Sequence, residues 1–286
     1  MPLSFDSTIL ACVDGASYTE SVTDFGVLFA SSSQTPLTLF NTVEHAHVSE
    51  KKDFSGNITL GGRDELLDNL VEEERAKSKE TIQEGKAILE AMKARVPASI
   101  QVALLQRHGK LYENVQDLEG RIRMLILGLS GVSHQGESRA IGEQVEEVIR
   151  ALHVPILLVN APFKTPKKVM IAYDGSQSAK KALETVVKNP LMRNIERHIV
   201  CVESSVKKAE QTLESAQPFV AQMEGEVHVM PLEGEAVETL QRHQTVYGID
   251  LIAMGAFSHN RLRDRLFGSF TAKMIAAAKV PLLLLR

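Results

Sequence analysis

Residues 250–271 hold the chemistry most easily read from this chain: Asp-Leu-Ile-Ala-Met-Gly-Ala-Phe-Ser-His-Asn-Arg-Leu-Arg-Asp-Arg-Leu-Phe-Gly-Ser-Phe-Thr. Leu251–Met254 is a short apolar run ending in Gly255, which predicts a buried strand delivering the chain to a tight turn. A polar, basic segment follows, with Ser258, His259, Arg261, Arg263 and Arg265. Gly268-Ser269 then opens an apolar-periodic run through Phe270, Met274, Ile275 and Ala278, which predicts a helix. A glycine there lets backbone approach a ligand closely. The Ser269 hydroxyl and the first free amides of the helix can donate to an anion. Strand, glycine turn, cationic loop and open helix N-terminus together describe a phosphate cradle that has no Walker A lysine.

Such a cradle needs a scaffold, and the chain supplies one twice. Thr8–Val13 and Val169–Tyr173 are short apolar runs ending in Asp14-Gly15-Ala16-Ser17 and Asp174-Gly175-Ser176-Gln177. Each leads into a helix-like segment with Ser or Asp placed to cap it. Leu37–Val43 and Ile199–Val202 are β-rich. Ser99–Leu105 and Glu226–Leu232 alternate, and each runs toward a glycine (Gly109, Gly234) and an amphipathic helix. Met124–Leu127 and Leu251–Met254 end in Gly128 and Gly255, and Pro155–Val159 and Pro281–Leu285 come last. Five strand signals separated by helices, repeated in one order, imply duplicated domains rather than a solenoid. Alternating strand and helix implies an α/β fold with right-handed crossovers. The expected architecture is two tandem doubly wound domains, each with a five-stranded mostly parallel sheet flanked by helices. The proline- and lysine-rich stretch 160–168 reads as the linker, which divides the chain into 1–160 and 161–286.

The copies differ. The first has an insertion after its second strand, about 44–95. Ser49–Arg63 is polar and glycine-containing and reads as a mobile loop. Asp64–Arg95 carries apolar residues at helical spacing and reads as a long helix with a charged outer face. The first copy also reads Gly128-Leu-Ser-Gly131, ten residues, then Gly142-Glu143. The glutamate stands where the second copy has Ser269, and its carboxylate repels a phosphate. The first copy is therefore read as degenerate for triphosphate.

In open α/β sheets, ligands sit at the carboxyl ends of strands where the strand order switches. That singles out Asp174 and Gly255. Asp174 either meets a ribose hydroxyl or a phosphate-bound metal, or caps its own turn. His45-x-His47 places two imidazoles on one strand face, but no third ligand accompanies them, and solvated histidines are the plainer reading. Ser130 does not satisfy the nucleophile-elbow pattern.

Gly255-x2-Ser258-x9-Gly268-Ser269 resembles the nucleotide-binding signature of the universal stress protein family, Gly-x2-Gly-x9-Gly-Ser/Thr. Ser258 replaces the second glycine of that signature. The preceding Asp-Leu-Ile-x-Met-Gly and the closing Val280-Pro281-Leu-Leu-Leu-Leu are similar to the family as well. The resemblance implies that Ala172, Asp174, Val202, Met254, Gly255, Ser258, His259, Arg261, Gly268, Ser269 and Phe270 line an adenine-nucleotide site. It implies ATP, or ADP or AMP, with Mg2+ as counter-ion. It also implies a stress-response role, regulatory rather than metabolic, and an intramolecular pseudo-dimer through the last strands, with association of two chains beyond that.

Composition sets the outer limits. The 286 residues are 44% hydrophobic and 24% charged, with a net charge of −4, as in an ordinary globular protein. Residues 164–286 hold 17 Lys and Arg against 13 Asp and Glu, a charge of +4, and residues 1–163 hold 15 against 23, a charge of −8. The positive surplus falls in the half with the cradle. There is no tryptophan and the four tyrosines are scattered, so no stacking platform for nucleic acid is present. No run reaches the length of a membrane span. Cys12 and Cys201 lie inside apolar runs, as reduced buried thiols of a cytoplasmic protein do. Two other classes stay open. One is a slow ATPase or autophosphorylating enzyme, although no general base or second acidic metal motif is evident. The other is a protein-interaction module that binds no nucleotide.

Overall fold

The computed structural model describes residues 5–43, 60–129, 143–256 and 269–286. The first half runs β1 (Thr8–Cys12), α1 (Thr19–Ser33), β2 (Leu37–Val43), α2 (Leu60–Lys93), β3 (Val102–His108), α3 (Leu111–Leu118), β4 (Ile122–Gly128), α4 (Glu143–Ala151), β5 (Ile156–Val159). The second half repeats the order: β6 (Lys168–Ala172), α5 (Gln177–Lys188), β7 (Glu196–Glu203), α6 (Val206–Glu214), α7 (Gln217–Val220), β8 (Val227–Glu233), α8 (Ala236–Tyr247), β9 (Leu251–Gly255), α9 (Ser269–Ala277), β10 (Leu282–Leu285). The strands form one ten-stranded sheet, ordered β3-β2-β1-β4-β5-β10-β9-β6-β7-β8. Every neighbouring pair is parallel except β5 and β10, which pair antiparallel with Leu157 opposite Leu283. The α/β fold expected from the alternation is present, and the two five-stranded arrays share a single sheet.

Buried apolar residues line both faces of this sheet, as parallel sheets require. On one face Ile9, Ala11, Leu39, Ile171, Ile199, Ala253 and Leu283 pack beneath α1, α2, α5 and α6. On the other Leu10, Phe40, Leu125, Met170, Val200, Met254 and Leu284 pack beneath α3, α4, α8 and α9. Residues of opposite parity along each strand go to opposite faces, which is the period-2 geometry of a strand. Most of these side chains are fully buried, and burying a Leu or Ile contributes roughly 1.5–3 kcal/mol.

The linker is tied to both halves. Phe163 donates its amide to Ser21 Oγ at 3.0 Å, and its ring meets Phe25 edge-on with centroids 4.8 Å apart. Asn160 Nδ2 donates to the Ala278 carbonyl at 2.9 Å. Asp250 accepts from the amides of Lys167 and Lys168 and pairs with Lys164 Nζ at 2.5 Å.

Residues 44–59, which contain His45, His47 and most of the expected loop, lie outside the described residues. Residues 60–63, expected as loop, are the first turn of α2. The later part of α2 lies close on the first half's sheet. A side-chain carbon at Gly85 would crowd the ends of the Asn41 and Gln106 side chains, which would have to move and lose their mutual hydrogen bond. The cap expected at α1 also differs. Tyr18 occupies the N-cap without a side-chain bond, because Asp14 is turned back onto Ala16 and Thr19.

Candidate functional site

In the second half the strand order switches at the carboxyl ends of β6 and β9, the position where α/β sheets open a crevice. These strands are neighbours, with Ala172 opposite Met254. The helix after β6, α5, packs on one face of the sheet, and the helix after β9, α9, packs on the other. Adjacent strands whose crossovers leave in opposite directions open a cleft between the departing chains. β7 flanks β6 on the other side, with Ala172 opposite Val200. Val202 and Asp174 each lie two residues further along and therefore keep the same facing.

Ala172, Met254 and Val202 lie at this end of the sheet, and Phe270 packs on the same face. Ala172 and Met254 are buried, and Val202 and Phe270 pack partly buried against the same apolar cluster. Asp174 stands exposed at the lip. One of its oxygens accepts from the Ser176 amide at 2.9 Å, so the turn-capping role anticipated for it is real. Ser176 then caps α5, its Oγ accepting from the Ala179 amide at 3.1 Å. The turn passes through Gly175 at φ +73°, where a side chain would be strained and would crowd Thr212. Tyr173, just before, points to the opposite face and shares a 2.7 Å hydrogen bond with Ser215 Oγ. Burial, the largest influence, pushes the Tyr173 phenol up from its ordinary value.

Gly255 is required for a different reason from the one its turn position suggests. It is the last residue of β9, paired with Leu285. An added Cβ would stand 2.6 Å from the Ser178 carbonyl carbon and 2.7 Å from the Ala179 nitrogen. The glycine lets the first turn of α5 sit directly against the end of β9. That brings the Asp174 turn and the β9 exit together at the crevice.

Ser269 begins α9, where the apolar periodicity put the helix start. Ser258, His259, Arg261 and Gly268 lie outside the described residues.

The first half has the same frame with different contacts. Asp14 Oδ1 accepts from the Ala16 amide at 2.9 Å and from Thr19 Oγ1 at 3.0 Å, and Thr19 Oγ1 accepts from the Gly15 amide. Ile88 of α2 reaches over Gly15, leaving 2.8 Å to an added side-chain carbon. A cavity of about 420 Å³ lies beside this turn, lined by α1, α2 and Pro162. No β4 residue lines it, so it is not the counterpart of the β6/β9 crevice.

The model of the universal stress protein family matches residues 165–286. Universal stress protein Slr1230 of Synechocystis sp. is 30% identical over 284 residues, covering 97% of this chain and 99% of its own. This chain belongs to the universal stress protein family. Stress response protein NhaX of Bacillus subtilis is 22% identical over 42% of this chain and 97% of its own. Among solved structures, a universal stress protein from Archaeoglobus fulgidus superposes with a TM-score of 0.67 at 17% identity, covering 98% of both chains. That likeness spans the whole ten-stranded arrangement and speaks for the fold. Membership supports a stress-response role. Among the described residues, no helix is long and apolar enough to cross a membrane.

One cluster escaped the sequence reading entirely. Glu196 and His198 on β7 lie beside His228 on β8, which is in register with His198, and Glu226 just before β8, with His243 and Tyr247 of α8 above them. The signal was available as two Glu-x-His pairs at strand spacing. It was missed because β7 was expected to begin only at Ile199.

Proposed function

We propose that this protein binds an adenine nucleotide, ATP or its ADP or AMP relative, in the β6/β9 crevice, and that occupancy regulates its stress-response role. The observation that carries this reading is the divergence of α5 and α9 from adjacent strands, with exposed Asp174 on one side and the α9 N-terminus on the other. Ala172, Val202 and Met254 form an apolar wall suited to a base. Asp174 is placed to accept from a ribose hydroxyl. Gly255 keeps the cleft narrow. Ser258, His259, Arg261, Gly268 and Ser269 complete the proposal as the phosphate side, where amides and a helix N-terminus favour an anion. Mg2+ would ride on the phosphates as counter-ion.

The first half lacks this function in our reading. Its aspartate is already bonded to Thr19, and Glu143 opens α4 where Ser269 opens α9. The antiparallel β5–β10 pairing supports treating the halves as an intramolecular pair, divided near residue 160, with one nucleotide per chain. Association of two whole chains is part of the proposal and would leave this pairing intact. A cytoplasmic location fits the two unpaired cysteines.

Melting the full chain with and without millimolar Mg-ATP is the first test, since a ligand of the native state raises its stability. A rise that Asp174→Ala abolishes supports the reading, and no rise favours the protein-interaction alternative. Turnover of ATP at roughly 1 per second or more would instead favour an enzyme.

A further inference from the structure

We propose that Glu196, His198 and His228 form a binding site for a divalent transition-metal ion of the Zn2+ type, at the opposite end of the sheet from the crevice. The three offer ligand atoms that all lie within 4.8 Å of one another. Glu196 Oε1 is the hub, 2.8 Å from His198 Nε2 and 3.5 Å from His228 Nε2. Ligands about 2.0–2.1 Å from a tetrahedral zinc are separated by roughly 3.3 Å. The spacing already present brackets that value, so small side-chain movements admit an ion. Two imidazoles and a carboxylate are borderline donors, which suit zinc and its neighbours rather than calcium or magnesium.

The surroundings are built to hold these donors. Glu196 and His198 alternate on β7, so both face α8, and the parallel register sets His228 directly opposite His198. His198 is 1% exposed, with its ring stacked near His228, His243 and Tyr247. Its Nδ1 meets His243 Nε2 at 3.0 Å. A metal-ligating histidine commonly has its second nitrogen fixed in this way by an outer partner. His243 is buried with its Nε2 turned to this nitrogen, so it is placed to accept a proton carried there. Lys168 Nζ lies 2.9 Å from Glu196 Oε2 and also donates to Oε1 at 3.1 Å, so it orients the carboxylate and shares the oxygen that faces the histidines. His228 is 39% exposed at its side chain and gives the ion a path from solvent. Glu226 Oε1, 3.0 Å from His228 Nε2, is at hand as a fourth donor.

Without metal, a proton on His198 Nε2 satisfies Glu196. The ion takes that proton's place on Nε2, the proton moves to Nδ1 of the same ring and is donated from there to His243 Nε2, whose own proton then sits on its Nδ1, so the rings stay neutral and no proton is lost. Both ligating nitrogens must be free of protons, so added acid competes with the ion. Lys168, Glu226, His243 and Tyr247 face the cluster, and of these Lys168 opposes the ion's charge.

The test uses the full chain stripped of metal, titrated with Zn2+ against a chromophoric chelator. The expected result is one ion per chain at this site, with His228→Ala weakening it at least about tenfold. Glu196→Gln keeps size and the Lys168 contact and is expected to weaken it comparably, which covers any folding failure of the first variant. Co2+ loaded in place of zinc should give visible absorption that both variants lose. Other histidines lie outside this cluster, so wild-type binding alone does not decide the matter. No competition for Zn2+ by the wild type, or undiminished binding by the folded variants, overturns the site.

Discussion

Replacing Gly255 by alanine tests the packing that shapes the crevice. The added methyl group would stand 2.6–2.7 Å from three backbone atoms of Ser178 and Ala179. Side-chain carbons do not come that close to other atoms, and the obstacle is backbone rather than a flexible side-chain end. Either β9 or the first turn of α5 must shift by several tenths of an ångström. Overpacking of this kind costs about 1–3 kcal/mol. For a chain of this size 1 kcal/mol lowers Tm by roughly 2–4 °C, so the expected loss is about 2–12 °C. The same shift pulls the Asp174 turn away from β9, so nucleotide affinity should fall with stability. Differential scanning calorimetry measures the first effect and a nucleotide titration the second. Gly120→Ala serves as the control, because nothing lies within 4 Å of its added carbon and its φ is not positive. A Gly255→Ala protein that melts within a degree of wild type, as Gly120→Ala should, refutes the close-approach argument.

Asp174→Ala should reduce nucleotide binding at least tenfold while costing only about 1 kcal/mol of stability, the usual worth of a lost cap or turn bond, checked by titration and by urea unfolding. Cys201, pushed up to about 11 by burial, and Cys12, half-buried and raised further by desolvation and then by Asp14, should both resist a thiol reagent near pH 8 in the native chain and react once it is unfolded. Burial works to raise the Asp250 carboxyl, but the Lys164 bond and the Lys167 and Lys168 amides outweigh it and hold the group below its ordinary value. A depressed folded value stabilises above the unfolded value near 4 and is lost as pH falls through the folded value. Asp250→Asn should therefore cost about 1–3 kcal/mol at neutral pH, and the difference from wild type should vanish in acid, as unfolding curves at several pH values would show.

The repeat was legible because its strands are buried on both faces and read as uninterrupted apolar runs. Leu37–Val43 matched the observed β2 to the residue. β7 did not, since Glu196, Arg197 and His198 are polar and yet buried or partly buried, each held by contacts from distant segments, with Arg197 Nε left buried and unpaired. Local composition carries no sign of such partners. The crevice was half legible. Asp174 and Gly255 stood out by type and position, but the reason for Gly255 lies in the backbone of α5, far away in sequence. The first turn of α2 was hidden by Gly61 and Gly62, which lower helix propensity without preventing a helix. In the first half the changed glycine spacing after β4 was visible in the sequence, whereas the Asp14–Thr19 bond and the reach of Ile88 over Gly15 needed the fold.

Calorimetric titration of the full chain with Mg-ATP, ADP and AMP addresses the central claim most directly. The account predicts saturable binding of one adenine nucleotide per chain, tighter than about 1 mM, abolished in Asp174→Ala and retained in Asp14→Ala. Two nucleotides per chain, equal sensitivity to both substitutions, or no heat of binding and no thermal stabilisation at millimolar nucleotide would contradict it.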